Sequence, residues 1–139
     1  MARSTSFRIS DQVKRALDTR AAHEGVSVTA LLESLVVEGV DQRDFPGIVF
    51  RGPAHDRRAA LAAGPDVWEV VSRLQELDGS EEHRIATFSA ESELHPRLIR
   101  IAVDYAAEHA EQIHSRIDRN RDLIARSRRA VAEREALLT

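Results

Sequence analysis

The feature that most limits this chain is a lone alternating segment at its start. In Ser4-Thr5-Ser6-Phe7-Arg8-Ile9, the residues Thr5, Phe7 and Ile9 alternate with Ser4, Ser6 and Arg8. Period two is the mark of a half-buried strand. Ser10 can then cap a helix whose first residue, Asp11, suits the positive helix start. Val13, Ala16, Leu17 and Ala21 share one face of that helix, and Gly25 ends it. Ser27 is a second cap. Val28, Leu31, Leu32, Leu35, Val36 and Val40 follow as a broad apolar face, on a helix expected to stop near Gly39. One strand has no partner, and a unit of about 40 residues seldom holds a core alone. The economical solution is a homodimer in which two such strands pair antiparallel and the helices interlock. Thr5, Phe7, Ile9, Leu31 and Leu35 then form the dimer core. Ser4, Ser6 and Arg8 are left to face a ligand.

The rest of the chain reads differently. Pro46, Gly47, Gly52, Pro53, Gly64 and Pro65 punctuate residues 41–66. Between them, Ile48-Val49-Phe50-Arg51 and Arg57-Arg58-Ala59-Ala60-Leu61 fit a small hairpin. Asp66, with Glu69 three residues on, has the spacing of a capping box. Val67, Val70, Val71, Leu74 and Leu77 continue at helical spacing. A short helix follows from Ser80 to about Ser92, then a turn at Glu93-Leu94-His95. Pro96 occupies a first helical position, and no proline or glycine interrupts the chain after it, so one helix is expected nearly to the end. Trp68 and Tyr105 are expected in the core or an interface, with the Tyr105 hydroxyl paired, and Arg57-Arg58 as a solvated hairpin edge. In the tail Ile117, Ile124, Val131 and Leu138 recur every seven residues, while Asn120, Ser127 and Arg134 occupy the intervening positions. That stripe is too narrow for a full two-stranded seam and suits a groove. The groove belongs either to the protein's own dimer or to a partner protein.

Charge separates the ends from the middle. The net charge is −3. Residues 1–24 carry five basic against three acidic residues, and residues 121–139 do the same. Residues 79–120 carry five basic against eight acidic. Lys14 is the only lysine, so the positive charge is guanidinium, which suits bidentate contact with phosphate or guanine. Four Phe, one Trp and one Tyr are too few for stacking along single strands. Cysteine is absent, so disulfides, thiolate metal sites and a cysteine nucleophile are excluded. The histidines lack metal-ligand spacing, Lys14 follows no glycine-rich loop, and Ser27 lacks a nucleophile-elbow context. No catalytic residue, metal or cofactor is expected. The start of the chain has no apolar stretch of the signal-peptide kind, and the richest apolar run, Ala30 to Val40, is broken by Glu33 and Glu38. A cytoplasmic, nucleoid-associated protein without a membrane span is expected.

Phe7-Arg8-Ile9-Ser10, followed after one helix by Gly25-Val26-Ser27-Val28-Thr29-Ala30-Leu31-Leu32, resembles the ribbon-helix-helix family of bacterial repressors and antitoxins, the Arc, MetJ and CopG type. The resemblance implies a dimer that lays a two-stranded ribbon in the DNA major groove. Ser4, Ser6 and Arg8 would read bases, Arg3 would assist, and Ser27 and Thr29 at a helix start would hold phosphate. Members often carry longer polar residues at all three reading positions. With two serines here, Arg8 does most of the direct reading, worth about 1–3 kcal/mol for a bidentate guanine contact.

A second stretch resembles the small helix-turn-helix domains of VapB-like antitoxins. It runs from Phe45-Pro46-Gly47-Ile48-Val49-Phe50 through Gly64-Pro65-Asp66-Val67-Trp68-Glu69-Val70 to Ile101-Ala102-Val103-Asp104-Tyr105 and Asn120. Such domains accompany PIN-like ribonuclease toxins. The expectation is therefore a mainly α protein in three parts. Residues 1–42 form the DNA-binding and dimerisation unit. Residues 45–120 form a helical domain with a small hairpin; its acidic balance argues against DNA contact, although Arg97 and Arg100 could open a recognition helix. Residues 121–139 form a partner-binding helix that uses Ile117, Ile124, Val131 and Leu138. The expected function is an antitoxin that represses its own promoter at a palindromic operator, with possible higher assembly on DNA. The alternatives are a stand-alone DNA-binding regulator and a dimeric adaptor that binds only proteins.

Overall fold

The computed structural model describes residues 2–139 and is mainly α, as the apolar spacings predict. In chain order the elements are helices α1 (Asp11–Glu24) and α2 (Val28–Asp44), strands β1 (Ile48–Arg51) and β2 (Arg58–Leu61), then α3 (Val67–Glu76), α4 (Glu81–Ser92), α5 (Pro96–Glu108) and α6 (Ala110–Leu138).

Helices α1 and α2 form a hairpin with a defined turn. Ser10 Oγ accepts the Val13 N–H at 3.2 Å and starts α1. Gly25, at φ 68°, ends it. The Gly25 N–H reaches the Ala22 carbonyl and the Val26 N–H reaches that of Ala21. These are the paired bonds of a Schellman turn, which glycine enters without a Cβ penalty. Ser27 Oγ then accepts the Ala30 N–H at 3.0 Å and starts α2. The hairpin buries only Leu17, Ala21 and Leu31, with Val26 and Val28 against them.

The second core lies in the body. Strands β1 and β2 pair antiparallel, Ile48 opposite Leu61 and Arg51 opposite Arg58. Their inner residues meet Val67, Val70 and Leu74 of α3, Ile85 and Phe88 of α4, Ile99, Ala102 and Tyr105 of α5, and Ile113 and Ile117 of α6. The expected hairpin and helical spacings therefore converge on one interior.

Three local expectations are corrected. Helix α2 does not stop at Gly39 but runs through it to Asp44. A mid-helix glycine costs only about 1 kcal/mol. The continuation carries Phe45 to Tyr105, where the rings meet edge to face at 5.3 Å. The expected single C-terminal helix is two. His109 leaves helical geometry at φ −122°, ψ 35°, and its ring lies 4.1 Å from that of Tyr105. Aromatic packing fixes a break that no proline or glycine announces. Asp66 opens α3, yet its side chain does not cap it. The carboxylate accepts Arg58 Nε–H at 2.7 Å and Trp68 Nε1–H at 3.2 Å; a bond between two opposite charges displaces the bond to an uncharged backbone N–H.

Tyr105 is buried, as expected, but its hydroxyl has no hydrogen-bond partner among the described residues. Burial, with Asp41 and Glu38 nearby, pushes that hydroxyl up to about 12. Ile99, fully enclosed at the centre of the body, gives a direct test of the core. Ile99→Ala should lower unfolding free energy by about 2–5 kcal/mol in denaturant titration; a loss below about 1 kcal/mol would contradict this packing.

Candidate nucleic-acid interface

The ribbon segment is laid out but unpaired. Residues 2–10 have no regular secondary structure in the single chain, so the expected strand is not formed there. A strand needs a second backbone to satisfy its N–H and C=O groups, and among the described residues no strand pairs with this segment. Arg3, Ser4, Thr5, Ser6, Phe7, Arg8 and Ile9 are all exposed. Phe7, at 81% exposure, is the largest apolar side chain left in water near the N-terminus.

The two helix starts sit at either end of the α1–α2 hairpin. Ser27 and Thr29 are exposed at the start of α2. Ser27 Oγ is engaged in capping, while a helix start retains further backbone donors that suit an anion.

The expected dimer core divides. Leu31 is already buried against Leu17 and Ala21 of its own chain, so it belongs first to the hairpin. Leu35 is 49% exposed. Val13 on α1 and Leu32, Val36, Val37 and Val40 on α2 are exposed as well. With Phe7 and Ile9, these residues give the first third of the chain an apolar surface of the kind that marks an interaction site. Val37 was not expected in it; it lies one residue beyond Val36, where helical spacing alone points towards solvent.

This unit is fastened to the body at two places. Arg57 Nη2 and Nε donate to the Glu38 carboxylate at 2.6 and 3.1 Å, and Arg57 Nη1 donates to the Gly52 carbonyl at 2.6 Å. Burial acts to raise Glu38, but hydrogen bonds from Arg57 and Ser34 outweigh it and hold the carboxyl below its ordinary range. The second fastening is Phe45 against Tyr105, with His109 Nε2 3.9 Å from Asp41 Oδ1.

Arg57 is exposed, as the sequence implies, though tied to Glu38 and Gly52; Arg58 is not a solvated edge but half-buried. Arg58 bridges Asp66 and Asp56. Arg116 of α6 donates to the same Asp56 and lies 5.9 Å from the centre of the Trp68 ring. Hairpin, α3 and α6 are thereby joined by one charged network. Its members lie up to 60 positions apart, beyond the reach of local pattern. Arg100 pairs with Glu82 at 2.9 Å, and Arg97 is exposed.

The tail splits the expected partner stripe. Ile117 is 2% exposed and part of the body's core, so it is removed from the partner-binding set. Ile124, Val131 and Leu138 are exposed, with Leu123 and Leu137 beside them. No helix of the described residues is long and apolar enough to cross a membrane.

Comparison of the chain with protein-family models, curated proteins and solved structures finds no match.

The lowered Glu38 carboxyl gives the fastening between unit and body a pH dependence. A carboxyl held low in the folded state contributes stability above its unfolded value, and that contribution is lost as pH falls through the folded value. Protection of the amides at the C-terminal end of α2, measured against their intrinsic exchange rates, should therefore fall on acidification below the ordinary glutamate range. Glu38→Gln should remove that step. An unchanged acid step in Glu38→Gln would show that the pair does not hold the units together.

Proposed function

We propose that this protein is a dimeric, sequence-specific DNA-binding repressor of ribbon-helix-helix type, acting as the antitoxin of a toxin–antitoxin pair. The observation that carries the reading is the combination at the N-terminus. An exposed segment alternating Ser4, Ser6 and Arg8 with Thr5, Phe7 and Ile9 precedes a capped helix hairpin whose apolar surface has no cover in its own chain.

The physics runs from that surface. Phe7, Ile9 and Leu35 leave water only if a second chain covers them, and burying a side chain of this size is worth about 1.5–3 kcal/mol. Pairing the two leading segments antiparallel satisfies their backbone groups and sets Thr5, Phe7 and Ile9 onto the helices. Ser4, Ser6 and Arg8 then stand on the outer face, where a two-stranded ribbon enters the major groove. Arg8 supplies the strongest base contact. Arg3, Ser27 and Thr29 serve the phosphates, and two-fold symmetry implies a palindromic operator.

The C-terminal helix, through Ile124, Val131 and Leu138, takes a protein toxin of the PIN-like ribonuclease class. No step of this reading calls for a cofactor, a metal or catalysis.

A gel shift against the protein's own upstream region tests the DNA reading. Arg8→Ala should weaken binding about 10-fold or more, the equivalent of one lost bidentate contact, while sedimentation still shows a dimer. Binding by the parent chain should fall steeply between low and physiological salt. Full affinity in Arg8→Ala would end the assignment. In a chain lacking residues 121–139, Phe7→Asp should abolish the dimer, because it would bury an unpaired charge at the ribbon. Removal of residues 121–139 should spare operator binding and abolish inhibition of a ribonuclease encoded beside this gene. Inhibition that survives the truncation would move the toxin site elsewhere.

A further inference from the structure

Two apolar surfaces in the C-terminal two-thirds are uncovered in the single chain. The first is a groove of about 570 Å³. Val71 and Leu74 of α3 form one wall, Val103 and Ala106 of α5 the other, and Ala110 lies where α6 begins. Small side chains along the wall let a helix axis come close. The second is α6 beyond the body, where Leu123, Ile124, Val131, Leu137 and Leu138 are 44–86% exposed.

Charge matches the two. Glu81 and Arg84 both line the groove, and Arg84 donates to the Gly79 and Leu74 carbonyls. The acidic balance lies around it: Asp104 and Glu111, next in the chain to Val103 and Ala110, are exposed, and residues 79–120 carry five basic against eight acidic residues. The tail carries Arg126, Arg128 and Arg129. Among the described residues none of Glu81, Asp104, Glu111, Arg126, Arg128 and Arg129 is in an ion pair.

We infer that the groove seats the α6 tail of a second copy of this chain. The chain's own tail cannot reach the groove, because α6 runs unbroken from Ala110 to Leu138 and carries its end away from the body. At about 1.5 Å per residue the part beyond Asn120 extends roughly 27 Å, long enough to cross a neighbouring body. Tail against tail is the poorer fit. Asn120, Ser127 and Arg134 fall at the alternate seam positions, where two helices would bury polar groups against each other. The groove begins on the first turn of α6 and the stripe lies on its last turns. Two antiparallel α6 helices related by a two-fold axis therefore fill both grooves at once, an isologous contact. The inference concerns the helix that the proposed function gives to a toxin, and it describes where that helix sits when no toxin is present.

The chain has no cysteine, so disulfide trapping reads the contact cleanly. Full-length Val131→Cys is mixed with full-length Ala107→Cys, a replacement on the exposed wall of the groove, and the mixture is oxidised without DNA or toxin. The expected main product is a dimer containing one chain of each kind. Placing Ala110→Arg in the Ala107→Cys chain should abolish that product while leaving helicity by circular dichroism unchanged. Arg8→Ala in both chains should leave it intact, so failure here and failure of the repressor reading are told apart. Three results would overturn the inference: no mixed product, self-linkage of Val131→Cys alone as the main product, or a mixed product indifferent to Ala110→Arg.

Discussion

A helix hairpin that buries only Leu17, Ala21 and Leu31 in its own chain cannot hold itself together. Three small-to-medium side chains offset little of the conformational entropy lost in ordering two helices. Everything at the N-terminus follows from this shortage. The hairpin must take stability from outside, and two sources are visible. One is its continuation into the body through α2. The other is the apolar surface of Phe7, Ile9, Val13, Leu35 and Val40, which its own chain leaves uncovered and which the proposed dimer would bury.

The first source explains why α2 passes through Gly39. Stopping the helix there would forfeit the packing of Phe45 on Tyr105 and the reach of Glu38 to Arg57. Both contacts lie on the last turns of α2 or just beyond, and both grip different parts of the body. The N-terminal unit is therefore held at a fixed angle to the body instead of hanging from a flexible linker. Whatever surface the first unit binds, the body is carried at a set distance from it. The same junction sets the start of α6, since His109 stacks on Tyr105. One aromatic group, Phe45-Tyr105-His109, thus orients both the leading unit and the long tail.

Elements with strong local signals were legible in the sequence. The serine caps at Ser10 and Ser27, the Schellman turn at Gly25, Pro96 at a helix start and the Ile48/Leu61 hairpin all rest on rules a few residues wide. What the sequence hid was long-range. The break at His109 depends on a ring brought by α2, and Asp66 leaves its cap because Arg58 arrives from a strand. Ile117 reads as one member of a seven-residue stripe, but the body ends between it and Ile124, so the same pattern is interior at one position and surface at the next. The leading segment is the reverse case. Its alternation is plain, yet a strand is a property of two backbones, and a single chain supplies one.

The distribution of charge then divides the labour. Residues 1–24 and 121–139 each carry an excess of basic residues, and residues 79–120 an excess of acidic ones. Phosphate contact dominates affinity for DNA, so in the proposed repressor an acidic body held rigidly behind a basic leading unit would be kept off the duplex by the same field that draws the leading unit on. The tail is basic too, but its arginines flank exposed leucine, isoleucine and valine, and no phosphate backbone covers such a stripe. An apolar surface suits it better, and the wall of Val71, Leu74 and Val103, with Glu81 and Arg84 on it, is one. On the proposed reading, two positive ends on one chain serve two different surfaces, and the apolar residues between the arginines decide which end goes to which.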